Sequence, residues 1–163
     1  MPAETSPPNA PTEQFTVSLA AVLVAAECIK KASRKMPRQQ AEEMYAMAYS
    51  YLTAGALRQA STILEILAIT GNSSRGVEEA RAFIAFETGH YELSAIHYYN
   101  AYQYAPGDPE GFNASLIALH KHLVSNGLSL DALKDWVALA DESVRPAASM
   151  LVSNMTAERT PET

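Results

Sequence analysis

Four histidines, one cysteine and three pairs of adjacent carboxylates are the residues of this 163-residue chain with most chemistry to offer. Metal binding would need them gathered at ligand spacing. His120 and His122 are two residues apart, so on a helix they point about 200° from each other and face different sides. His90 and His97 lie on either side of a predicted helix start, and Cys28 is far from all four histidines, so no zinc-type set forms. Catalytic motifs are equally thin: the chain carries no Gly-rich phosphate loop, no Gly-x-Ser-x-Gly elbow and no His-Glu-x-x-His. Glu42–Glu43, Glu78–Glu79 and Asp141–Glu142 each fall near a predicted helix end, and the first two suit the positive end of a helix dipole. Cys28 sits among apolar residues and is expected to be buried rather than reactive. The residues predict no enzyme, no metal and no cofactor.

The remaining resource is aromatic. Tyr45 and Tyr49 are i, i+4 neighbours, and Glu79, Phe83 and Phe86 follow at helical spacing. Aromatic rings with polar tips can pack an extended peptide and hydrogen-bond its backbone. The elements that would position them follow from composition. Hydrophobic content is 48%, there are 28 Ala and seven Gly, and β-branched residues are few, which points to closely packed helices in one domain. No apolar run approaches the roughly 18–20 residues that a membrane span needs. A single Cys excludes an internal disulfide and favours a reducing compartment. The net charge of −6 and pI of about 5.2 argue against a general nucleic-acid binder. Residues 1–13 hold two glutamates and no basic residue, unlike a signal peptide.

Apolar periodicity predicts eight helices, over about 13–34, 39–53, 57–69, 75–88, 92–104, 109–124, 129–140 and 144–155. Pro-rich residues 1–12 are expected to be a disordered arm, 13–38 a separate helix and linker, 39–156 the main domain and 157–163 a loose tail. The first helix carries Phe15, Leu19, Val22, Ala26, Ile29, Ser33 and Met36 in a heptad-like stripe, a candidate dimer face or a face packed on the domain. Its end holds Lys30, Lys31, Arg34, Lys35 and Arg38, which suit the negative end of a helix dipole, or the docking of an acidic partner or a membrane surface. Ser143 is a candidate cap for the last helix, with Pro146 in its first turn.

Within the main domain a repeat is visible. Gly55, Ala60, Leu64 and Leu67 match Gly89, Ser94, Tyr98 and Ala101 at a constant offset of 34. Gly89, Tyr91, Ser94, Tyr98, Ala101 and Pro106 complete the second half of a tetratricopeptide-repeat pattern. Ala48 and Ala82 occupy matching places in the preceding helices. A weaker third copy offers Gly127, Ala132, Trp136 and Leu139 at an offset of 38, with about four extra residues before Gly127. Small residues at these places let two helices cross closely, and each Gly turns the chain between them. The expected fold is all-α: a superhelix of about three helical hairpins, an extra N-terminal helix and a C-terminal capping helix. Its first helices would present Tyr45, Tyr49, Leu52, Glu79, Phe83 and Phe86 to a peptide-binding groove. Tyr98 is expected in the core, and Tyr102 could reach an adjoining surface, though nothing requires it.

Over residues 40–155 the chain resembles the class II chaperones of bacterial type III secretion. The resemblance rests on Met44-Tyr45-Ala46-Met47-Ala48-Tyr49, Ala54-Gly55, the run from Ala60 to Leu67, and the closing helix from Glu142 to Met155. The chain departs from that family in lacking a Gly-Gly-Thr-Leu-like N-terminal stretch. The resemblance implies a cytoplasmic bacterial protein without catalytic activity. Its partner would be a secreted hydrophobic translocator, held in the groove before export, and it would form a homodimer through the N-terminal helix. A needle-subunit co-chaperone of the same secretion system, or a repeat scaffold for protein–protein interaction, are the alternatives.

Overall fold

The computed structural model describes residues 36–157, which form seven α-helices; no strand occurs among the described residues. They are α1 (Arg38–Thr53), α2 (Leu57–Ile69), α3 (Arg75–Glu87), α4 (Tyr91–Tyr102), α5 (Pro109–Ser125), α6 (Asp131–Val137) and α7 (Arg145–Ala157). None of them is long and apolar enough to cross a membrane. The arm at 1–12, the helix expected over 13–34 with its stripe Phe15, Leu19, Val22, Ala26 and Ile29, Cys28, the basic residues from Lys30 to Lys35, and residues 158–163 of the tail lie outside the described residues.

Helix starts and stops follow local chemistry. Ser74 caps α3 by accepting from the Val77 N–H, and Asp108 caps α5 by accepting from the Glu110 N–H, with Pro109 in the first turn. Gly55 and Gly89 end α1 and α3 at φ of 74° and 80°, a left-handed conformation that a Cβ would disfavour. The expected cap at Ser143 is not made. Its N–H and its hydroxyl both donate to the Asp141 carboxylate, which therefore organises the turn before α7, and Pro146 still falls in the first turn. α6 is shorter than expected and stops at Val137. Leu139, expected at a packing position, is consequently 49% exposed, and Ala140 in the following turn is buried in its place.

Consecutive helices pack side by side. α1 lies on α2, α3 on α4 and α4 on α5, with a lighter contact of α2 on α3. The α3–α4 pair is antiparallel: Ser94 Oγ donates to the Ala82 carbonyl, His97 meets Glu78, and Phe86 meets Tyr91, so one residue number rises as the other falls. Ala48, Ala60 and Ala82 are almost wholly buried, which is what close helix crossing requires. Apolar packing forms two clusters. One gathers Ala48, Ala60, Leu64, Leu67, Val77 and Ile84 from α1–α3. The other is centred on Phe112, Leu116, Leu133 and Val144 from α5 to α7 and includes Tyr102 of α4. Tyr98 packs against this second cluster, as expected. Tyr102 is buried, and its hydroxyl accepts from the Asp141 N–H at 2.9 Å, a tie between α4 and the last turn that its sequence neighbours do not announce.

Candidate functional site: a face shared by the first helices

Tyr45 lies one turn before Tyr49 on α1, and Glu79 one turn before Phe83 on α3. Tyr45 leans onto α3: a Cβ built at Gly76 would stand 2.6 Å from the Tyr45 hydroxyl, so the ring reaches this position because residue 76 has no side chain. Burial, the Glu79 carboxylate and Tyr49 together push the Tyr45 phenol above its ordinary pKa, which places these three groups in one neighbourhood. The charge of Glu79 is not free. Arg75 Nε donates to it at 2.6 Å, and the same guanidinium reaches Asp108 at 2.6 Å, tying the start of α3 to the cap of α5. Tyr45 also lines a cavity of about 530 Å³ with Arg38, Glu42, Ser74 and Val77.

The six predicted groove residues divide by exposure. Tyr49 and Phe83 are open to solvent at 56% and 38%. Tyr45 and Glu79 are intermediate. Leu52 packs against the first apolar cluster, and Phe86 against the second, with its ring edge-on to Tyr91 at 5.1 Å. The surface they leave is an aromatic edge with polar tips.

The register of α5 extends this set by three residues that the sequence spacing did not assign to this face. Asp108 follows Ser74 by 34, so Asn113, Ile117 and His120 stand where Glu79, Phe83 and Phe86 stand on α3. Ile117 is 48% exposed, continuing Tyr49 and Phe83 as a third exposed apolar residue at the same spacing. Asn113 Oδ1 is the one buried side-chain polar atom among the described residues without a hydrogen-bond partner. The signal was present in the cap spacing. It was obscured because α5 has 17 residues against 13 in α3; the extra turn lies at its C-terminal end and delays Gly127. Aligning on that glycine gives 38, whereas aligning on the helix start gives 34.

A second polar arrangement lies inside. Glu78 and His97 are 5% and 7% exposed, between the two apolar clusters. The Glu78 carboxylate accepts from Ser73 Oγ at 2.7 Å and meets His97 Nδ1 at 2.7 Å and Arg81 at 3.3 Å. Burial raises its pKa, but the bonds from Ser73 and His97 and the charges of His97 and Arg81 outweigh burial and hold it below the ordinary range. A carboxylate so satisfied is structural, since every strong donor around it is engaged. In the sequence Glu78 suits a helix start by its charge, and nothing near His97 marks its partner. Among the described residues, no group of three or more His, Cys, Asp or Glu is arranged to hold a metal ion. Comparison of the chain with protein-family models, with curated proteins and with solved structures returned no match.

Proposed function

We propose that the chain is a tetratricopeptide-repeat chaperone of the class II type of bacterial type III secretion, a cytoplasmic and non-catalytic protein. It would keep a hydrophobic translocator in solution by holding an extended segment of it along the face of α1, α3 and α5. One observation supports this reading: matching residues 34 positions apart share backbone conformation or burial. Gly55 and Gly89 share a left-handed φ, Ala48 and Ala82 share burial, Ala60 and Ser94 share burial, and Tyr49 and Phe83 share exposure. Stacked hairpins of this kind build a superhelix whose first helices line the concave side, with α7 as the closing helix. Its mechanism is steric. Aromatic and aliphatic edges would cover apolar client side chains, and the Tyr45 and Tyr49 hydroxyls would hydrogen-bond the client backbone.

Co-expression with a translocator candidate encoded beside a secretion apparatus tests the reading. A client that becomes soluble and co-elutes with the chain supports it; a client that stays insoluble, or elutes alone, overturns it. Tyr49→Ala with Phe83→Ala should release the client while helical circular dichroism is retained, because both side chains are solvent-exposed.

A further inference from the structure

We propose that the cleft between α2 and α4, over α3, is a second binding site, for a short peptide segment that carries a carboxylate between aliphatic side chains. The cleft has a volume of about 570 Å³, within the usual size of ligand pockets. Leu57, Ile84, Ala85 and Leu93 give it an aliphatic lining, and no phenyl, phenol or indole ring lines it to stack a base or sugar. Leu93 is 47% exposed, so an apolar wall stands open to water.

Charge selects the occupant. The whole chain is acidic, at −6, yet this lining carries two guanidiniums, Arg58 and Arg81, against one carboxylate, Glu65, and Arg81 and His97 are both held by the buried Glu78. That carboxylate is already engaged, 2.9 Å from Arg81. Arg58 is different from every other described Arg and Lys. The rest reach a carboxylate, a carbonyl or an aromatic ring, whereas the Arg58 guanidinium has no partner among the described residues. One unpaired guanidinium beside an aliphatic trough matches one carboxylate flanked by aliphatic side chains. The trough between two helices suits a chain segment, and the Ser61 hydroxyl along α2 is available to its backbone, whereas Thr62 already donates to the Arg58 carbonyl.

This cleft is independent of the aromatic face. Arg81 and Ala85 lie two residues from Phe83 on either side, about 200° around α3 from it, so the two sites use opposite sides of one helix. They also differ in character, the aromatic face having tyrosines and Glu79 where the cleft has unpaired positive charge.

The test is an NMR titration of the ¹⁵N-labelled full chain with acetyl-Leu-Leu-Glu-Leu-Leu-amide, and with the same peptide carrying Lys in place of Glu. Expected are amide shifts around Arg58, Thr88, His90 and Leu93, with affinity about tenfold lower for the Lys peptide and for Arg58→Glu with the Glu peptide, the worth of one charge-assisted contact. Arg58→Glu should also reverse the preference between the two peptides, and Leu93→Ser should weaken both. Arg58 and Leu93 are exposed, so the variants keep the native spectrum elsewhere. No shift with either peptide, equal affinity for the two, shifts confined to Tyr49 and Phe83, or an Arg58→Glu variant that titrates like the native chain would each overturn the proposal.

Discussion

Glu78 and His97 stand, 34 residues on, where the partly buried Met44 and Ile63 stand in the preceding hairpin, so the chain itself supplies apolar residues for these two places. Met44 and Ile63 both pack against the first apolar cluster. Glu78→Met alone leaves His97 Nδ1 and Ser73 Oγ without their acceptor and should cost about 3 kcal/mol, the lower end for breaking a buried pair because Arg81 keeps Glu65. His97→Ile alone leaves the carboxylate with Ser73 and Arg81, and should cost about 2 kcal/mol. The double substitution replaces two polar side chains with apolar ones of similar volume and should return to within about 1 kcal/mol of the native chain. Simple addition would give a loss of about 5, so the coupling is about 4 kcal/mol. Urea unfolding followed by far-UV circular dichroism at neutral pH measures all four corners of the cycle. The acid limb is a second check. Glu78 has a folded pKa below its ordinary value of 4.5, so its contribution is present above that pH and is lost as pH falls through the folded pKa. The native chain should therefore lose more stability on acidification than the double variant. Single variants within about 0.5 kcal/mol of native, or a double variant that falls by the sum of the singles, would refute the account of this pair as a coupled, desolvated unit.

Other consequences can be measured with the same unfolding assay. Ala82→Leu inserts a large side chain where α3 and α4 meet around a wholly buried Ala, and should destabilise by about 1–3 kcal/mol. Tyr102→Phe removes the acceptor of the Asp141 N–H and should cost about 1 kcal/mol, with faster amide exchange at Asp141. Asp108→Ala removes the cap of α5 and the second partner of Arg75, and should cost about 1 kcal/mol in urea unfolding. Asp108 is pushed up by burial, but the Gly111 N–H, Arg75 and the Glu110 N–H hold it below its ordinary pKa of 3.8. The loss in Asp108→Ala should therefore be full at neutral pH and shrink as pH falls through that range.

Much of the helical plan was legible along the chain. The spacing of Leu57 to Ile69 and of Arg75 to Thr88, and the glycines at 55 and 89, set helix bounds that the structure matches within a residue or two. Predictions went astray where a local rule met a partner from elsewhere. Ser143 had the right residue type for a cap, but α7 begins at Arg145, one residue too late for it, and Ser143 instead donates to Asp141. Leu139 had the right spacing for the core, but α6 unwound two residues earlier. The i, i+4 spacing of Tyr45 with Tyr49 and of Glu79 with Phe83 is readable in the chain, whereas the matching places of Asn113 and Ile117 are hidden by the extra turn that shifts Gly127.

The chain's local chemistry was sufficient for helix positions, turns and the 34-residue rhythm, because backbone hydrogen bonds, caps and glycine φ depend on neighbours within four or five residues. It could not say that Glu78 is buried, that Tyr102 reaches Asp141, or that Trp136 donates to Ser115 at 3.0 Å. Each of those depends on a group 19 or more residues away. Whether a polar side chain is solvated or enclosed is a property of the helix that packs over it. The register of that packing follows from the collective fit of two apolar clusters. The same holds for the unpaired Arg58: its residue type is evident in the chain, but its lack of a partner, beside an open aliphatic cleft, emerges only once α2, α3 and α4 are assembled.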